Sequence, residues 1–423
     1  MANKLLKKAL SALIRNSPKR IRDSFLRSQL NLQPLPNDIT FEIAQSQSDL
    51  DQAFQLLHDA YVREGFSKPH ASGRRVTAYH ALPSTTTLVA KYKTEVIATI
   101  SVIRDGPFGL PADAVVNLSR FREEGQRLGE VSSLAIKPRF RGRSGEVMFH
   151  LFKFMLHYSM YYFGLDRFII VVNPNRINLY ESILTFERLQ STVVESYAFA
   201  NNAPAVCATL DLTRLEQTFA QIYSGRPAHQ DIHHFFFGRY SPSEERQFHF
   251  PQRSYYMTLD PVMNPSILNH FFNECTDTFC TLDDRKVKIL QSIYPEKDYN
   301  SVWPFATRPE WQNQRIHRRF DVMCTASLPA RPQILTAVNI LDASRNGLRV
   351  RSSLPLQSED RPIFQIAVGP QKRSCLKANM RWQKGTITGL EIVEADAGWT
   401  HFIDHMEDRM AQTAQSTPQG CDR

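Results

Sequence analysis

LGEVSSLAIKPRFRGRSGEVMF, residues Leu128 to Phe149, joins a strand, a basic turn and the start of a helix, and the rest of the chain is arranged around it. Val131, Leu134 and Ile136 supply the β-branched and aliphatic positions of a buried strand, Pro138 ends it, and Gly142 and Gly145 allow the backbone angles of a tight turn. Val147, Leu151, Phe154 and Met155 then recur at helical spacing, so the first helical turn directs unpaired N–H groups back at the loop. Backbone donors and the helix dipole favour an anion there. Arg139, Arg141 and Arg143 add positive charge, and Gly142, Ser144 and Gly145 complete a candidate phosphate cradle. An ordinary solvated basic turn has the same composition, and this stretch alone leaves both readings open.

A chain of 423 residues predicts two or three domains, and 42% hydrophobic content supports globular cores. The net charge of +9 suits an acidic partner: a nucleotide, an anionic membrane face, nucleic acid or an acidic carrier protein. No aromatic-and-basic base-reading motif accompanies that charge, so nucleic acid is not expected. Six scattered cysteines without metal-ligand spacing predict reduced thiols, no metal site and a cytoplasmic protein. No run approaches the roughly 18 apolar residues of a membrane span, and the N-terminus lacks a signal-peptide core. Residues 4–30 begin as a basic amphipathic helix broken near Pro18. Its residues 4–15 suit either peripheral contact with the inner membrane face or docking on the chain's own domain.

Residues 1–36 thus read as a basic helix and linker. Beyond them ITFEIAQ predicts a strand, Leu50 to Val62 a helix with Asp49 as its cap, and Thr87 to Tyr92 with Val96 to Ile103 a hairpin. Phe168 to Val172 and Val206 to Asp211 predict further strands, the latter followed by a helix through Tyr223. His229, His233, His234 and His249 sit among phenylalanines without Asp, Glu or Cys at ligand spacing, a packing pattern. Prolines 295, 304 and 309 mark a domain boundary.

The order of these elements is that of the GNAT acyltransferase fold. YVREGF, TAYHALPSTTTLVA, ATISVIRDGPFGLPAD, GEVSSLAIKP and VVNPNRINLYESIL together resemble its N-acyl amino acid synthase branch, related to acyl-homoserine lactone synthases. The resemblance implies a GNAT-like domain over residues 37–305 that takes a long acyl group from acyl carrier protein, presented on phosphopantetheine, to an amino acid. An attacking amine must lose a proton, for which Glu130 is the candidate base. The backbone from Ser132 to Ala135 is the candidate oxyanion donor, and Tyr180 the candidate acid for the leaving thiolate. Where related synthases carry Gly-Phe after the tyrosine helix, this chain has Thr185-Phe186.

From Gln314 the sequence runs QRIHRRFDV, NILDASRNGLRV and ANMRWQKGTITGLEIV. Residues 312–410 resemble a PilZ domain, a small antiparallel β-barrel that binds cyclic di-GMP, followed by a disordered tail over 411–423. RxxxR occurs at Arg315 and Arg319, and D/NxSxxG at Asp342, Ser344 and Gly347. Arginine forks suit the ligand's phosphates and guanine edges, with Arg318 and Arg345 placed to assist. The expected fold is α+β: a GNAT-like mixed sheet with helices, then the barrel. No covalent cofactor is expected, only acyl-phosphopantetheine as donor and cyclic di-GMP as regulator. Two functions stay open: a cyclic di-GMP-responsive acyltransferase, or a non-catalytic effector whose GNAT-like half binds protein.

Overall fold

The computed structural model describes residues 18–141, 145–258, 260, 263–294, 297–303, 319–320, 325–331, 334–352 and 363–415. The membrane-contact helix proposed for residues 4–15 lies outside them. The described chain begins with α1 (Lys19–Ser28), which packs on a later helix through Asp23, whose carboxylate accepts from Ser182 at 2.6 Å. No helix among the described residues is long and apolar enough to cross a membrane.

The first sheet is built from β1 (Ile39–Ile43), β2 (Thr85–Tyr92), β3 (Glu95–Arg104), β4 (Leu128–Ile136), β5 (Arg167–Val172), β6 (Glu187–Arg188), β7 (Val194–Tyr197) and β8 (Ala203–Asp211). Its order is β1-β2-β3-β4-β5-β8-β6, with β7 also paired to β8. β4 and β5 run parallel and the other pairs antiparallel, giving the mixed sheet that the sequence predicts. The predicted hairpin is β2–β3.

Helix α2 (Gln47–Glu64) covers one face, with Leu50, Phe54 and Leu57 against Val89 and Val96. Its cap is Ser46, whose hydroxyl accepts from the Asp49 N–H at 3.0 Å; Asp49 itself lies in the first turn, where its charge complements the dipole. Short α3 (Ser119–Glu123) precedes β4. Helix α4 (Glu146–His157) covers the opposite face, its Leu151 and Phe154 meeting Ile100 and Val102 as the helical spacing predicts. The same core takes in α5 (Ile177–Ser182), α6 (Leu215–Tyr223), α7 (Ile232–Phe237) and the segment after α8 (Pro242–Gln247). Helices α9 (Pro265–Asn269) and α10 (Asp284–Ile293) return to the α2 face, where Leu268, Phe271 and Tyr294 are buried.

The second sheet closes on itself: β9 (Thr325–Arg331), β10 (Ile334–Ser344), β11 (Gly347–Ser352), β12 (Ile363–Gly369), β13 (Lys372–Lys384) and β14 (Ile387–Ala395) form an antiparallel barrel in the order β10-β11-β14-β13-β12-β9. Helix α11 (Ala397–Gln415) plugs it with Trp399, Phe402, Ile403 and Met406. This helix extends to Gln415, so the tail expected from residue 411 begins as ordered helix, carried by the same apolar period that ends at buried Met410.

Candidate active site

Strand β4 positions the chemistry. It pairs with β5 only from Leu128 to Glu130, after which the two strands separate and expose their facing edges. On its other side the register with β3 slips, so that Ser133 and Leu134 together oppose Ile100. Ser133 has φ +57°, which makes this a bulge with backbone turned out of the ladder. Ser132, the first residue of the expected stretch from Ser132 to Ala135, is an ordinary strand residue opposite Ser101, and the distortion falls on Ser133 within that stretch. Period-two patterning does not register an inserted residue, so the sequence could not tell the two serines apart.

Glu130 stands where the strands part and is 2% exposed. Burial, reinforced by the nearby Asp113 charge, pushes its carboxyl up to about 8, although the Ala112 N–H donates to Oε2 at 2.7 Å. A carboxyl with that affinity can exchange a proton with an amine near neutral pH. The Ala112 donor is held by a clasp: Arg122 grips Asp105 with Nε at 2.5 Å and Asp113 with Nη2 at 2.6 Å, while Asp113 accepts from the Leu110 N–H at 2.7 Å. This fixes the DGPFGLPAD loop beneath Glu130.

Behind the bulge lies His80, 2% exposed, whose Nδ1 accepts from the Thr77 N–H at 3.1 Å. That leaves the proton on Nε2, which faces Ser133 Oγ at 3.5 Å. Burial and the Arg75 charge pull the imidazole down to about 3, so it is a neutral support for the bulge. Tyr61 reaches the Ser133 backbone, and Tyr79, Phe199 and Tyr197 form a run of ring contacts beside it.

On the α4 face a narrow, half-open apolar crevice runs inward between Val131, Met155, Phe168, Ile170 and Phe219, with Tyr180 and Phe186 among its walls. Burial raises the Tyr180 hydroxyl to about 12, keeping it protonated. Helix α4 starts at Gly145 with φ +73°. Gly142, Arg143 and Ser144 lie outside the described residues. Arg139 pairs with Glu95, while Arg141 donates to the Ile136 carbonyl at 2.8 Å and lies 3.9 Å from Glu64 at the end of α2.

In the barrel, Arg319, Asp342, Ser344 and Gly347 come together. Asp342 pairs with Arg319 and with Arg349. A side chain at Gly347 would press within 3.3 Å of both Arg319 Nη2 and Ser344 Oγ, so the glycine makes room for the cluster. Arg345 instead binds Asp404 at 2.6 Å and Glu407 at 2.5 Å on α11. Arg315 and Arg318 lie outside the described residues.

Residues 52–211 match the family model of the N-acyl amino acid synthase FeeM. The matched segment runs from α2 to the end of β8 and contains Glu130, Ser133 and Tyr180. No curated protein matches the chain. Among solved structures, FeeM, an N-acyl amino acid synthase from uncultured soil microbes, is 25% identical, with 44% of this chain and 98% of that one covered and a TM-score of 0.38. The CoA-dependent acyl-homoserine lactone synthase BjaI with MTA is 18% identical, covering 51% and 94%, with a TM-score of 0.33. The acyl-homoserine lactone synthase LasI is 12% identical, covering 41% and 90%, with a TM-score of 0.30. Within the segment that matches the FeeM family, the sequence singled out Glu130 and Tyr180 but not Tyr61, Arg75, His80 and Tyr197, which the structure gathers near Ser133 and Glu130. Their mixture of rings and cations before β2 and β8 was the available signal.

Proposed function

We propose that residues 37–305 form an N-acyltransferase that moves a long-chain acyl group from acyl carrier protein to the amine of an amino acid. The observation that carries this is the buried Glu130 carboxyl beside the Ser133 bulge, at the point where β4 and β5 part. The amine nitrogen attacks the thioester carbonyl carbon, forming a C–N bond. Glu130 takes the amine proton, and backbone N–H groups of the bulge, within residues 132–135, stabilise the oxyanion. The C–S bond then breaks, and the thiolate of phosphopantetheine takes a proton from Tyr180, which regains one from water. The apolar crevice beside Tyr180 suits the acyl chain, and the α4 start at Gly145 suits the phosphate. The match of residues 52–211 to the FeeM family supports this reaction class.

We further propose that residues 312–410 are a PilZ domain that binds cyclic di-GMP through Arg319, Asp342, Ser344 and Gly347, with Arg315 and Arg318 completing the grip. Support comes from the convergence of the two motifs on one end of the barrel. The barrel also touches the base's supporting loop: Asn339 Nδ2 donates to the Arg122 carbonyl at 3.2 Å, and Arg351 feels Asp105 and Asp113. Incubating the protein with long-chain acyl carrier protein and an amino acid pool, with and without cyclic di-GMP, tests both parts by mass spectrometry. An N-acyl amino acid whose yield changes with the nucleotide is the expected product. Nucleotide binding without any acyl product would favour the non-catalytic effector.

A further inference from the structure

The loop between α2 and β2 places one cation in an unusual setting. Arg74 pairs with Asp51 at 2.7 Å, but among the described residues no carboxylate pairs with Arg75. Its guanidinium lies over the Tyr61 ring at 4.5 Å and the Phe199 ring at 5.3 Å, and Nη2 donates to the Phe199 carbonyl at 2.7 Å. Nε is buried without a hydrogen bond. Beside it Tyr197 is 4% exposed, and its hydroxyl also lacks a partner. Burying such groups unpaired is costly, and a cost of that kind is offset where a ligand supplies the missing acceptor.

The ligand's chemistry follows from what surrounds the pair. Tyr61 and Tyr197 each interact electrostatically with both Arg75 and Glu130, so the two tyrosines are shared neighbours of the cation and the base. Arg75 belongs to the α2 face of the sheet, with Tyr61 and His80, whereas the acyl crevice and Tyr180 belong to the α4 face. A molecule held by Arg75 therefore meets Glu130 beside Tyr61, whose hydroxyl also faces Tyr180 electrostatically. It needs an anionic group for a planar five-donor fork and, a short distance away, a nitrogen for the base.

We infer that Arg75, with the Tyr197 hydroxyl, anchors the carboxylate of the acceptor, so that the site selects a primary amine bearing a carboxylate on the adjacent carbon over the same amine without one. This deepens the acyltransferase assignment above and rests on it. Arg75 and Tyr197 are specificity-determining residues. Carboxylate on Arg75 and amine on Glu130 orient the nitrogen lone pair toward the bulge.

The test pairs binding with turnover. Full-length protein is titrated calorimetrically with each standard α-amino acid and with the corresponding amide, which keeps the amine and lacks the charge, in wild type, Arg75→Gln, Arg75→Lys and Tyr197→Phe. Wild type should bind at least one acid about tenfold or more tightly than its amide. Arg75→Gln should bring that ratio close to one, Arg75→Lys should retain part of it, and Tyr197→Phe, which deletes an oxygen with no partner in the protein, should reduce it severalfold without lowering the melting temperature. With acyl carrier protein as donor, Arg75→Gln should raise KM for the amino acid and leave KM for the donor unchanged. A preference that survives in Arg75→Gln, equal binding of acid and amide by wild type, or a rise in donor KM would overturn the inference. Arg75-dependent acid binding without acyl transfer would sink the acyltransferase assignment alone, and acyl transfer indifferent to the carboxylate would sink the anchor alone.

Discussion

Glu130 is charged at a cost, and that cost has a sign. Its folded-state affinity for a proton, pushed up to about 8, exceeds the ordinary glutamate value of 4.5, so the native state holds a proton that the unfolded chain has released. Its contribution is fully present below pH 4.5 and is lost as pH rises toward 8. Replacing Glu130 with Gln should therefore stabilise the protein at pH 8 and remove the decline between pH 5 and 8, which melting temperatures across that range would reveal. The same substitution should abolish acyl transfer, because the amide cannot accept the amine's proton, and in wild type the rate should climb as pH passes about 8. A flat pH–rate profile would remove Glu130 from the proton path. A second residue is strained without an evident chemical task. Thr185 holds φ +60°, and its buried hydroxyl has no hydrogen-bond partner. A β-branched residue there costs about 1–3 kcal/mol, so Thr185→Gly should raise stability by that order in urea unfolding. It would restore the Gly-Phe pair that related synthases carry.

At the scale of elements, the loop that serves Glu130 is held by charge. Asp105 is 2% exposed and takes two hydrogen bonds from Arg122, at 2.5 Å and 2.9 Å. Removing Arg122 leaves that carboxylate buried and unpaired, so Arg122→Met should destabilise by about 3–5 kcal/mol, and adding Asp105→Asn should recover part of the loss. Thermal unfolding of the two variants against wild type measures this; an unchanged midpoint in Arg122→Met would mean that the clasp contributes nothing to the fold. The elements themselves were legible in advance. β2, β3, β5, β8 and α4 announce themselves through apolar period and bounding turns, and Glu130 stood out as a carboxylate within an apolar strand. What the pattern could not carry was which serine sits in the bulge, since Ser132 and Ser133 are the same residue type and only the register with Thr99 and Ser101 separates them. The clasp was equally silent, because Arg122 meets Asp105 and Asp113 only after α3 folds back on the loop. Arg75 was hidden by its neighbour Arg74, whose pairing with Asp51 makes the doublet look like a solvated face.

Across the whole molecule, the barrel and the first sheet share a seam that local sequence does not disclose. Fully buried Asp260 accepts from Tyr158 Oη at 2.9 Å in the first domain and pairs with Arg253 and, at 3.0 Å, with Arg409 on α11. Tyr256 N–H donates to the Val368 carbonyl on β12 at 2.9 Å. A second set of contacts leads from the nucleotide motif to the base. Asp342 holds both Arg319 and Arg349, and two residues beyond Arg349 on β11 burial pulls Arg351 below the usual guanidinium range while Asp105 and Asp113 counter it. On the proposed reading, a phosphate entering the motif would compete with Asp342 for its arginines, and a shift of β11 would bear on the clasp beneath Glu130. A ligand can move that equilibrium only by its differential affinity for the two arrangements. Arg319→Ala should therefore abolish cyclic di-GMP binding, because losing the charged partner of a desolvated phosphate costs several kcal/mol. Asp342→Ala should weaken binding less, since it removes base contacts while releasing two guanidiniums to the ligand. Arg351→Met is the discriminating variant. Removed from the motif but facing the clasp, it should keep nucleotide affinity within about twofold while erasing the nucleotide's effect on acyl transfer. Titration calorimetry and initial rates on the same preparations decide it: regulation that persists in Arg351→Met would show that the signal crosses elsewhere, through the Asp260 seam.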